Sequence, residues 1–313
     1  MLLVMLIKAL NDIELNWRLI AVSIIILMCC LYVLLAAFVV NGVSTIDRWQ
    51  SDIHPMDFGL EAKDVEFTTR GGDLKLRGWH IFGEAKQNTI IFVHGHGGDR
   101  AAGSSLEIAT KLWEQGFNLL LFDLRGSGLS EGERVSGGYF EQDDLLGAYD
   151  YVLETETSSG KIGVLGFSAG AATAILGAAK EPDIQAVVSD STYADVSDLI
   201  SQEVALATSM PEWIVPVFAP GINIAADVIH GIKLGEMVPE KSVGNIKYPI
   251  FLIHGIDGIR IPVDHSVRVH KAAHFGSKLW KVEDAGHVMS FENNPEEYIT
   301  RIVNYYQERF HAS

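Results

Sequence analysis

Gly166-Phe167-Ser168-Ala169-Gly170 places a hydroxyl between small neighbours. A serine oxygen becomes a useful nucleophile only when it is held out from the backbone beside a base. A sharp strand-to-helix turn does this, and it is strained enough that only glycine or other small residues fit around it. The flanks meet that demand: KIGVLGF (161–167) reads as an apolar strand and AGAATAILGAAK (169–180) as a strong helix former. The hydroxyl then stands at a helix N-terminus, whose partial positive charge suits an oxyanion. The plain alternative is a tight turn with an incidental serine.

Two further pieces fit acyl transfer. His94-Gly95-His96-Gly97-Gly98 follows the apolar strand TIIFVH. A carbonyl oxygen that turns negative needs two backbone N–H donors, which Ala169 and His96 are placed to supply. Two histidines two apart also raise a metal site, but no carboxylate motif stands beside them to complete one, so neither a metal nor an organic cofactor is called for. A general base is expected late in the chain, and His287 in Ala285-Gly286-His287, after KLWKVED, fits. His270 and His274 lie in an apparent helix and His311 at the terminus, which reads as surface; His254 ends a strand before a turn and reads as structural.

Strands and helices must hold these residues, and they alternate as in a mostly parallel sheet covered on both faces. Strand patterns fall at 64–69, 74–82, 89–94, 117–123, 161–167, 184–190, 249–254 and 278–283, the first two joined by a turn at 70–73. Helical spacing falls at 104–115, 140–154, 169–180 and 264–274. The interval 195–246 breaks the alternation and is too long for an ordinary loop. It reads as a small helical cap over the sheet edge where open α/β sheets bind ligands. Its Trp213, Ile214, Val217 and Phe218 either line an apolar pocket or seal the cap to the body.

Leu19 to Val40 is apolar but for Ser23. These 22 residues reach roughly 33 Å as a helix, against a hydrocarbon core of about 30 Å. The run is long for a signal peptide, begins late and shows no clear cleavage pattern, so it reads as a retained single-pass anchor. Lys8 and Arg18 precede it and Arg48 follows, which by the positive-inside rule favours a cytoplasmic N-terminus and an extracytoplasmic catalytic domain. Residues 1–18 suggest a short interfacial helix, 41–62 a surface linker and 63–313 the folded domain. With 48% apolar and 20% charged residues in 313, that domain can bury a full core. A net charge of −16 without a basic cluster disfavours nucleic acid as a partner. Cys29 and Cys30, adjacent within the apolar run, support neither a disulfide framework nor a cysteine zinc site.

FVHGHGG (92–98), FDLRGSGLSEG (122–132), GFSAG (166–170), VVSDSTYAD (187–195), IHGIDGIRIP (253–262) and AGH (285–287) occur in the order of one known family. From about 60 to 310 the chain resembles the α/β-hydrolase superfamily, and within it the membrane-anchored serine-aminopeptidase-like and prolyl-oligopeptidase-like hydrolases. The resemblance implies an eight-stranded mostly parallel sheet with helices on both faces, a Ser…Asp…His triad, and a small-molecule acyl substrate. It permits peptidase, carboxylesterase, lysophospholipase and thioesterase activities equally. Asp123 is then best read as a turn residue, with Gly126 and Gly128. One position departs: members carry the triad acid as H-G-x-x-D, and here Gly258 stands at that place with Asp257 one residue early. Asp257 reaching the histidine through a shifted turn, Asp190 at the end of the sixth strand serving instead, and loss of the acid all stay open. The third would leave a slow hydrolase, or a retired fold acting as a membrane-bound interaction module.

Overall fold

The computed structural model describes residues 2–45, 47–83, 88–155, 160–201 and 215–312. Eight strands form one sheet: β1 (Ala62–Thr68), β2 (Lys75–Ile81), β3 (Thr89–Val93), β4 (Asn118–Phe122), β5 (Ile162–Phe167), β6 (Ala186–Asp190), β7 (Phe251–Gly255) and β8 (Lys278–Val282). Their order is β1-β2-β4-β3-β5-β6-β7-β8. Strand β2 runs antiparallel to both neighbours and every pairing from β4 to β8 is parallel, as the resemblance implied.

The central strands are buried throughout and mostly apolar because both faces are covered. Ile90, Phe92, Leu119 and Leu121 face a layer built from α2 (Ser105–Glu114) and the C-terminal helix, which carries Tyr298, Ile302, Tyr306 and Phe310. Their alternates Ile91, Val93, Leu120 and Phe122 face α3 (Glu141–Glu154) and α4 (Ala169–Lys180). This strict two-residue alternation is the pleat expressed in packing. The helices expected at 104–115, 140–154, 169–180 and 264–274 form within two residues of those bounds.

A third apolar cluster lies over the C-terminal edge of the sheet. It joins Tyr193, Val196 and Met237 to Ile222 and Ala226 of α5 (Ala219–His230), and to Ala36 and Val40. The last two belong to α1 (Leu2–Ser44), a single helix that takes in residues 2–18 and 41–44 as well as the apolar span. No proline interrupts it, and its one glycine, Gly42, is close to its end. From Trp17 to Gly42, α1 is long and apolar enough to cross a membrane. Only 6% of its apolar window is buried, so it is not a core helix, and it could be an anchor or a signal sequence. In the cap, Phe218 packs on Tyr32 and Val217 is exposed, while Trp213 and Ile214 lie outside the described residues. Further helices among the described residues are a stretch at 196–201, α6 (Pro239–Ser242), α7 (Val263–Ala272), α8 (Ser290–Asn293) and α9 (Pro295–His311).

Candidate active site

Strand β5 enters α4 through Ser168, whose φ of 54° and ψ of −120° suit glycine rather than an L-residue. The chain is held there from both sides. The Ser168 N–H donates to the Asp190 carbonyl at 2.8 Å, and the Ser168 carbonyl accepts from Ala171 N–H at 3.0 Å. The flanking glycines are demanded by close approach. A Cβ at Gly166 would lie 2.3 Å from the Gly170 carbonyl oxygen, and one at Gly170 2.2 Å from that of Val93. The turn therefore pushes the hydroxyl outward.

His287, on the loop after β8, meets that hydroxyl: its Nε2 is 2.8 Å from Ser168 Oγ. For the hydroxyl to donate to Nε2, the ring proton must sit on Nδ1. Nδ1 is buried and has no hydrogen-bond partner among the described residues. Burial, then the positive charge of Arg260 and an interaction with His254, pushes the imidazole down to about 4. This site thus has a nucleophile and a base in contact, and among the described residues no carboxylate hydrogen-bonds the base.

The carboxylates named from the sequence explain the gap. Asp257 does not reach His287. Its N–H donates to the Ala285 carbonyl at 3.0 Å, the residue is exposed, and its carboxylate makes no hydrogen bond to His287 Nδ1. The position that faces His287 is 258, where a Cβ would lie 3.3 Å from His287 N and 3.4 Å from its Cα, and the sequence has glycine there. Asp190 is fully buried and otherwise engaged. It accepts from the Ser191 hydroxyl at 2.9 Å and from the Tyr298 hydroxyl at 3.1 Å, and burial pushes it up to about 7. Asp123 serves its turn, accepting from the N–H groups of Arg100 at 2.9 Å and Leu129 at 2.8 Å.

The glycine-rich loop after β3 brings His96 beside Ser168 and Ala169 at one cavity wall. Ala169 opens α4, where the first N–H groups have no partner within the helix. His94 is spoken for: its Nε2 accepts from Leu124 N–H at 3.0 Å, leaving Nδ1–H to donate to the Gly95 carbonyl at 2.8 Å. His254 likewise donates from Nε2 to the Ile261 carbonyl at 2.8 Å and accepts at Nδ1 from the Ser266 hydroxyl at 2.7 Å. Sequence reasoning missed Arg260, which lines the cavities on both sides of Ser168. Its signal was available, since it is a basic residue two positions beyond the glycine that replaces the acid.

The family model for X-Pro dipeptidyl-peptidases (S15 family) matches residues 65–217. The uncharacterized Bacillus subtilis protein YqkD is 27% identical over 225 residues, which cover 71% of this chain and 72% of the relative. The Pyrococcus furiosus esterase Pf2001 superposes with a TM-score of 0.70 at 27% identity, covering 84% of this chain and 99% of the esterase. The Pyrococcus horikoshii acylaminoacyl peptidase shares the fold, with a TM-score of 0.59 at 19% identity over 83% of this chain and 44% of the peptidase.

Proposed function

Because this chain belongs to the α/β-hydrolase superfamily, we propose that it is a serine hydrolase that cleaves an ester, thioester or amide through an acyl-enzyme, with an apolar, lipid-like substrate. The observation that carries this reading is the 2.8 Å contact between His287 Nε2 and Ser168 Oγ on a strained helix-initiating turn. Ser168 Oγ bonds to the acyl carbon while its proton passes to His287 Nε2. The bond to the alcohol, thiol or amine breaks, and the leaving group takes that proton. Water then attacks the acyl-enzyme, giving its proton to His287, and the carboxylic acid departs as the serine is restored. The N–H groups of His96 and Ala169 receive the oxyanion. The 27% identity to an esterase along 84% of the chain supports ester cleavage. The apolar span of α1 supports a membrane-anchored enzyme.

A fluorophosphonate probe tests this directly. It should label the wild-type protein and spare Ser168→Ala; equal labelling of both would remove Ser168 from the chemistry. The bare Nδ1 of His287 favours a second reading, a catalytically impaired hydrolase fold kept as a membrane-bound interaction module. Absence of both labelling and ester turnover in the wild type would select that reading.

A further inference from the structure

We propose that the C-terminal end of α1 forms one wall of the substrate pocket, and that the substrate is an acyl ester of a membrane lipid whose chain lies against this helix. The proposal rests on the serine-hydrolase reading above and names the substrate class for the same site.

Two cavities meet at Ser168. One, of about 210 Å³, lies toward α2 and α8 and is lined in part by Ser104, Arg260, His287 and Glu292. The other, of about 520 Å³, lies on the opposite side and has Ser168 and Ala169 at its floor. That volume falls within the range of ligand sites. Its walls are mostly apolar, with Leu199 and Ile200 from the helical residues 196–201, Ile222 from α5, and Phe38, Val39 and Val40 from α1, while His96 and Arg260 also line it. A polar leaving group suits the first chamber and a hydrocarbon chain the second. The acyl carbon then falls at their junction, where the nucleophile stands.

The wall contributed by α1 is fixed. The Tyr32 hydroxyl donates to the Val217 carbonyl at 3.1 Å and accepts from Gly221 N–H at 2.9 Å, and its ring stacks on Phe218 at 5.6 Å. Gly221 permits this approach, since a Cβ there would lie 2.4 Å from the tyrosine ring. Further along, Ala36 and Val40 are buried in the cap cluster. Past the wall, the Ser44 carbonyl accepts from Val135 N–H at 3.0 Å. The Arg48 guanidinium donates to the carbonyls of Gly128, Ser130 and Gly132 at 3.2, 2.6 and 2.6 Å. The membrane-crossing element and the pocket are therefore one structure rather than a tether and a separate domain.

The position of the wall along α1 decides what enters. The apolar span Trp17–Gly42 has 26 residues. As a helix it is about 39 Å long, longer than a hydrocarbon core of about 30 Å. Phe38, Val39 and Val40 occupy its last turns and so stand at the headgroup boundary. Beside them α5 exposes Ile224, Val228 and Ile229, together with Asn223 and Asp227. Phe38 is itself 74% exposed at the cavity mouth. A lipid acyl chain thus reaches Ser168 by moving along α1, without passing through water.

The test uses the full-length chain in phosphatidylcholine nanodiscs. A long-chain alkyl fluorophosphonate with a photoreactive diazirine near the chain end is allowed to react with Ser168 and is then irradiated. Crosslinks should map to residues 36–42 of α1. Crosslinks confined to α2 and α8 would overturn the proposal while leaving the hydrolase reading intact. Independently, Val39→Trp should lower the ratio of labelling rates for hexadecyl over ethyl fluorophosphonate by about tenfold or more, a discrimination within reach of a hydrophobic pocket. Leu34→Trp, at an exposed position of α1, should leave the ratio unchanged. An unchanged ratio in Val39→Trp also refutes the wall. Failure of the ethyl probe to label wild type would instead sink the hydrolase reading, and the proposal with it.

Discussion

Replacing Gly258 by aspartate should turn a weak base into a strong one. A Cβ at 258 would lie 3.2 Å from the Gly255 carbonyl oxygen and 3.3–3.4 Å from the His287 backbone, so its neighbours need give only a few tenths of an ångström. Gly258 has no positive φ, so the new side chain meets no left-handed strain. From there a carboxylate can accept from His287 Nδ1–H, which has no partner among the described residues. The imidazole now sits near 4, held down by burial, then by the charge of Arg260 and an interaction with His254. An opposite charge in contact raises it by about one to three pH units. At about 1.4 kcal/mol per unit this stabilises the imidazolium of the transition state by roughly 1.4–4 kcal/mol, or about 10- to 10³-fold in rate. The ceiling is the loss of about 10⁴ seen when the acid of a well-studied serine protease is disabled.

The assay is kcat/KM on a short-chain p-nitrophenyl ester from about pH 3.5 to about pH 9, because its acidic limb reports the base of the free enzyme. Wild type should inflect near pH 4. Gly258→Asp should inflect between about pH 5 and pH 7 with a higher plateau. Gly258→Asn, which restores an acceptor without the charge, should leave the limb in place. A folded Gly258→Asp protein that still labels at Ser168 but shows neither a raised plateau nor a moved limb would refute this account of the missing acid.

Asp190→Asn should change ester turnover by less than about tenfold, because that carboxyl is engaged by Ser191 and Tyr298 rather than by His287. Asp257→Ala should leave turnover unchanged; a loss of about 10³ or more in either variant identifies an acid that this geometry does not. Ser168→Gly should raise stability by about 1 kcal/mol in chemical denaturation while abolishing labelling, since glycine removes the strain at φ 54°, ψ −120°. His80 should contribute a loss of stability as pH drops from about 6.5 toward 4, opposed in that window by Asp190, whose buried carboxyl is pushed up to about 7. Burial pushes His80 down to about 4, so through that window the unfolded chain binds protons that the folded chain does not. His80→Phe should raise Tm at pH 4 relative to its value at pH 6.5, compared with the same difference in wild type, and an unchanged difference would exclude His80 as a contributor.

Much of this protein was legible in one dimension because its constraints are local. The apolar runs that became β3 to β7 are buried on both faces, so their composition alone marks them as strands. Gly166 and Gly170 announce the turn because backbone atoms approach within 2.3 Å of where their side chains would be. Ser168 and His287 could be named from their flanks, although 119 residues apart. Two things were decided only in three dimensions. Asp257 and Gly258 differ by one place in sequence, but a turn directs successive residues differently, and the one facing His287 has no side chain. The apolar helix α1 reads as a detached anchor because hydropathy registers only that its residues are apolar. Tyr32, Ala36 and Val40 dock a few of its positions onto the cap, and packing between segments nearly two hundred residues apart leaves no periodic trace in either one.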